Sequence, residues 1–151
     1  MVRRLESSIT VRDSPAIVAL TGSRTVVLAE RDYLHDSGTA TAFETRAAAT
    51  ALRIGAVRWV FAVPQVWHYV PFNSSARPLD DLPLGLHDQE GVTWLTFDAL
   101  DGVEYGRVAY VRRPRGQPVF QDVEPFDDEV IALKYMAGYT LLSAFLNGVD
   151  S

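Results

Sequence analysis

VTWLTFDALDGVEYGRVAYV, residues 92–111, consists of two β-rich runs with Asp101-Gly102 between them. A two-residue type I′ turn needs positive φ at both central positions, and Asp-Gly suits it. The stretch therefore predicts an antiparallel hairpin. With the turn at 101–102, Leu100 faces Val103, Asp98 faces Tyr105, Thr96 faces Arg107 and Trp94 faces Ala109. On the other side Leu95 faces Val108 and Phe97 faces Gly106, where the missing side chain leaves room for the ring. Asp98 and Arg107 become diagonal neighbours within reach of an ion pair. Arginine is also the natural clamp for a ligand carboxylate. Asp98, Tyr105 and Arg107 thus join the candidate ligand-binding residues, with a plain cross-strand ion pair as the structural alternative.

Upstream, VFAVPQVWHYVPF at 60–72 is the densest apolar and aromatic run in the chain. Pro64 has no amide for a ladder, so it is expected to break this run. A strand at Val57–Val63 and a second extended piece at Val66–Val70 follow. His68 then shares a face with Val66 and Val70, while Trp67 and Tyr69 point away. One account of His68 is a neutral core histidine bonded to a backbone carbonyl. The other is an acid/base group in a pocket walled by Trp59, Phe61, Trp67 and Tyr69, since apolar pockets with few polar groups suit small organic ligands. Residues 71–91, rich in Pro and Gly, are expected to form a long irregular loop.

The N-terminal third reads as strands at Ser8–Arg12, Ala16–Leu20 and Thr25–Glu30, separated by turn residues. The last two are nearly continuous apolar runs, which implies cover on both faces. Thr41-x-x-Glu44 predicts a capping box and a helix start. Phe43, Ala47, Ala51 and Ile54 then share one face, and Gly55 stops the helix. The alanine face is for close packing. A longer helix is expected from about Asp127 to Asn147, with Asp127, Asp128 and Glu129 at the positive end of its dipole. Gly148 ends it. Gly138 in its middle costs about 1 kcal/mol relative to alanine, which points to a close contact there.

Together these elements predict one α+β domain over residues 1–151. An antiparallel sheet of about six or seven strands curls around the long C-terminal helix, with one smaller alanine-faced helix beside it. GRVAYVRRPRGQPVFQDVEPF at 106–126, with LPLGL at 82–86, resembles the closing strands of chorismate-lyase-like ligand-binding domains. The preceding element order differs from that family, and none of its functional residues is placed here.

Composition narrows the function. There are no cysteines, which removes disulfides, thiolate nucleophiles and cysteine-ligated metals. The net charge of −5 provides no positive field for nucleic acid or an anionic membrane. Arg112-Arg113-Pro114-Arg115 is the one basic cluster and reads as a solvated turn. Thirteen arginines against a single lysine fit GC-rich coding and a bacterial source. The N-terminal MVRRLESSIT lacks an apolar run of signal-peptide length. YMAGYTLLSAFL at 135–146 is shorter than the roughly 20 residues that span a bilayer. A cytoplasmic protein without membrane contact is expected.

Motifs are absent. Thr21-Gly22-Ser23-Arg24 is not a phosphate loop, and no dinucleotide or zinc-protease signature occurs, so no cofactor is expected. His35, His68 and His87 match no ligand spacing, so no metal is expected either. His35 lies between a strand and a helix, beside Asp32 and Asp36. It is a candidate acid/base group or a solvated loop residue.

Two functions fit these residues. One is a binding or interaction module, a homo-oligomer with an aromatic-lined hydrophobic pocket for a small hydrophobic molecule or a protein partner. The other is a cofactor-independent enzyme of lyase, isomerase or cyclase type. There His68 or His35 is the catalytic acid/base, and Arg107 holds an anion.

Overall fold

A computed structural model describes residues 1–70, 73–80, 83–113, 117–125 and 137–148, with the backbone alone at 69–70, 73–75 and 122–125. The chain runs α1 (Val2–Thr10), β1 (Ala16–Thr21), β2 (Thr25–Glu30), α2 (Ser37–Arg53), β3 (Arg58–Val70) and β4 (Asn73–Arg77). It continues through β5 (Asp88–Asp98), β6 (Gly102–Val111), β7 (Val119–Pro125) and α3 (Tyr139–Asn147). The α+β class holds, with one seven-stranded antiparallel sheet ordered β2-β1-β3-β5-β6-β7 and β4 paired to β3.

Side-chain alternation sorts the sheet into two cores. Trp59, Phe61, Val63, Leu95 and Tyr105 pack against Phe43, Ala47 and Ala51 of α2 and Leu141 of α3. Ala62, Val66, Val92 and Tyr110 face the other way and pack against Leu5 and Ile9 of α1. The alanine face of α2 seats the helix close to the sheet, as its composition implied.

The start of the chain departs from expectation. Ser8–Arg12 is not a strand, because residues 2–10 form α1. Leu5 and Ile9, spaced one helical turn apart, are the residues it buries. α1 covers the sheet face opposite the one that packs against α2 and α3.

α2 begins at Ser37, four residues before the expected capping box. Asp36 is the cap, and its carboxylate accepts from the Thr39 amide (3.0 Å) and hydroxyl (2.6 Å). Those bonds hold its pKa below the usual carboxylate range. Asp36→Ala is expected to lower Tm by a few degrees, whereas exposed Thr41→Ala leaves it unchanged, in paired thermal melts.

β3 runs unbroken through Pro64, which lies opposite Val92 of β5. The expected break is replaced by a change of neighbour. β1 pairs with residues 58–62 and β4 with residues 66–70, so Pro64 falls between them. The irregular span expected at 71–91 contains β4 and the start of β5.

The β5–β6 hairpin is present, but in a different register. Asp98 lies opposite Gly102, and residues 99–101 form the loop. The Asp98 carboxylate accepts from the amides of Leu100 (2.8 Å) and Asp101 (3.3 Å). Gly102 takes φ +86°. The loop has three residues rather than two, and the left-handed glycine is the first residue of β6. Leu95 consequently faces Tyr105, Trp94 faces Gly106, and Thr93 faces Arg107. Phe97 faces Val103, and the glycine that seats a ring is Gly91, where a Cβ would collide with Trp67 and the Val108 carbonyl.

The C-terminal helix is short. α3 spans nine residues, and Gly138 precedes it at φ +94°. A residue in that conformation cannot lie inside an α-helix. Asp127, Asp128 and Glu129 lie outside the described residues. α2, at 17 residues, is the longest described helix.

Candidate functional site

The long β3–β5 ladder carries His68 opposite Asp88, with Ser75 of β4 on the other side. The Asp88 Oδ1 atom lies 2.6 Å from Nδ1 of His68. Its Oδ2 accepts from the Gly85 amide at 2.8 Å, and Arg77 Nη2 stands 3.8 Å away. Arg77 also pairs with Asp80 at 2.7 Å. The Gly85 amide first, then His68, holds the Asp88 carboxyl below its ordinary pKa. An ionised carboxylate only accepts, so Nδ1 of His68 carries the proton and donates. In neutral imidazole, Nε2 is then left with its lone pair. The His68 side chain is 45% exposed and that of Asp88 only 12%, so the orienting group is sheltered and the oriented one is accessible. The ring of His87 stands 6.3 Å from that of His68, at 80°.

His68 is therefore neither a buried histidine nor bonded to a backbone carbonyl. Its partner is a carboxylate from the adjacent strand. The His87-Asp88 dipeptide was visible in the sequence. What was not visible was the β3–β5 register that brings Asp88 to His68.

The expected aromatic wall lies elsewhere. Trp59 and Phe61 are buried on the α2–α3 face, opposite His68. Trp59 stacks on Phe97 with centroids 5.9 Å apart and meets Phe145 edge-on. Phe61 packs against Tyr33. Trp67 covers Gly91, and the Arg107 guanidinium lies 5.6 Å from its ring. The Tyr69 side chain lies outside those described. Tyr105 is buried beside Leu95, and burial pushes its phenol pKa up.

Asp98 and Arg107 are not neighbours. Arg107 faces Thr93, five positions along β5 from Asp98, or about 17 Å at the rise of a strand. His35 sits on an exposed turn before α2, and its amide bonds to the Asp32 carbonyl at 3.0 Å. The structure does not bring it to His68.

Two further polar clusters escaped the sequence. Arg112 grips Glu90 with two bonds of 2.7 Å and donates to the Ile9 carbonyl at the end of α1, also at 2.7 Å. This fork makes Arg112 a tie between α1 and the sheet rather than a residue of a solvated turn. In the other core, Glu44 accepts from the Tyr33 hydroxyl (2.6 Å) and the Leu141 amide (2.9 Å). Burial raises the pKa of both Glu44 and Tyr33. Both clusters join secondary elements, and their bonding capacity is turned inward.

A shallow open hollow of about 380 Å³ is lined by Arg3, Glu6, Ser7, Thr10, Val11 and Gln117, none of them a candidate residue. Among the described residues, no helix is long and apolar enough to cross a membrane. No protein-family model, curated protein or solved structure matches this chain.

Proposed function

We propose that this domain is a binding module whose recognition site is the polar corner formed by His68, Arg77, His87 and Asp88. The observation that carries the reading is the accessible His68 imidazole held in one orientation by a sheltered Asp88. A side chain already oriented loses little freedom when a ligand binds, so its hydrogen bond contributes more to affinity. Arg77 and the two imidazoles suit a ligand that presents a carboxylate or hydroxyl. Ring-on-ring packing of Trp59, Phe61 and Phe97 favours this corner over the aromatic face.

The same geometry supports a second reading. An imidazole whose Nδ1 is tied to aspartate presents Nε2 for proton transfer, the arrangement of a general base. On that reading the domain is a cofactor-independent enzyme.

A thermal-shift screen against a metabolite library, with a product check on each hit, tests both. Hits should lose their stabilisation in His68→Ala and keep it in His35→Ala. Hits indifferent to His68→Ala would overturn the assignment. Product formed by the wild type and lost in His68→Gln selects the enzyme; binding without product selects the module.

A further inference from the structure

We propose that His68 and His87 together bind a divalent transition-metal ion of the zinc, nickel or copper type, with Asp88 as the outer partner of His68. The inference rests on the polar corner being the functional site, and it specifies that site's ligand chemistry.

Four observations converge. The two rings stand 6.3 Å apart at 80°. Two imidazoles that share one zinc, at Zn–N distances of about 2.0–2.1 Å, place their ring centres about 5–6 Å apart. The observed spacing is slightly wider than that, and His87 is exposed in the turn before β5, where no close packing fixes its side chain. The Asp88–His68 bond reproduces the carboxylate–histidine–metal arrangement, in which the outer carboxylate fixes the tautomer and turns the second nitrogen toward the ion. Asp88 is in turn anchored by the Gly85 amide, so the outer partner is itself positioned.

The donor set decides the kind of ion. Imidazole ligands suit zinc, copper and nickel, whereas calcium and magnesium prefer oxygen donors. Among the described residues, no three His, Asp or Glu side chains converge as a metal cluster. Two imidazoles supply two of the ion's usual four donors, and the others can come from water or a ligand. Arg77, beside Asp88, favours an anionic group at one of them.

The test uses the untagged full chain and zinc chloride. Ring resonances of the three histidines are followed by NMR as zinc is added, and affinity is measured by calorimetry. The His68 and His87 signals should move together at one equivalent, while His35 stays still. His87→Ala should weaken zinc binding at least tenfold, and Asp88→Asn by about 10–100-fold, the range for loss of an outer-shell partner. Thermal melts of His87→Ala verify the fold. Equal zinc affinity in His87→Ala, or a His35 response matching the other two, overturns the proposal. Absence of zinc binding together with metabolite hits that depend on His68 discards the metal and retains the corner. Hits that ignore His68→Ala discard the corner itself.

Discussion

Gly138→Ala should destabilise the protein by about 2–5 kcal/mol, read as a fall in the urea midpoint at unchanged slope. Two costs combine. Gly138 has φ +94°, a conformation that disfavours an L side chain by roughly 1–2 kcal/mol. A Cβ there would also stand 2.6 Å from Leu95 Cδ2 and 3.3 Å from Phe61, in a core without slack. Overpacking of that kind costs roughly 1–3 kcal/mol. Gly55→Ala separates the two costs, because Gly55 has φ +60° and a Cβ at that position would meet nothing within 4 Å. It should show the conformational cost alone. Leu95→Ala in the Gly138→Ala background should relieve the steric part. If Gly138→Ala costs no more than Gly55→Ala, the close approach of α3 to the sheet is wrong.

Glu44 is the second sensitive position. Glu44→Leu leaves the Tyr33 hydroxyl and the Leu141 amide buried without partners, at roughly 1–3 kcal/mol each, so a loss of about 2–6 kcal/mol is expected. Glu44→Gln keeps an acceptor for Leu141 and should cost far less. It also isolates the charge. Burial raises the pKa of Glu44 in the folded protein, against the opposing pull of its hydrogen bonds to Tyr33 and Leu141. The native state therefore holds this proton more tightly than the unfolded chain does. That contribution to stability is complete below about pH 4.3, the unfolded value, and is lost as pH rises through the higher native value. Tyr33 and Tyr105, the titratable neighbours, stay neutral through this range because their own pKa values are raised. Asp36 and Asp88 have lowered pKa values and act in the opposite direction, but equally in both proteins. The stability of the wild type relative to Glu44→Gln should thus decline from acid to neutral pH in urea titrations. A difference that grows with pH would show that the hydrogen bonds outweigh desolvation.

Residues with strong local chemistry were legible in the sequence. Strands β1 and β2, the hairpin and the alanine face of α2 follow from apolar runs, Asp-Gly and helical spacing. Gly138 announced a close contact, and the structure places Leu95 there. The failures share a cause, namely competition between two local solutions settled by tertiary contacts. Ser8–Arg12 has strand-like residues, yet Leu5 and Ile9 gain more by packing as a helix on the sheet. Asp101-Gly102 suits a two-residue turn, yet Asp98 stabilises a three-residue one. That odd shift in register separated Asp98 from Arg107. The His68–Asp88 pair depends on strand order, which no local pattern encodes.

Pro64 divides β3 between two neighbours. β1 and β4 lie on the same side of β3, opposite β5, and Pro64 falls between the residues that each of them pairs with. An imino acid at position 64 offers no amide to a neighbour on that side. A strand extending past it from either direction would meet a gap in the ladder. β1 cannot lengthen into the territory of β4, nor β4 into that of β1. One imino acid therefore keeps the two partners of β3 from competing for it, and reserves the end that carries His68 for a neighbour of its own.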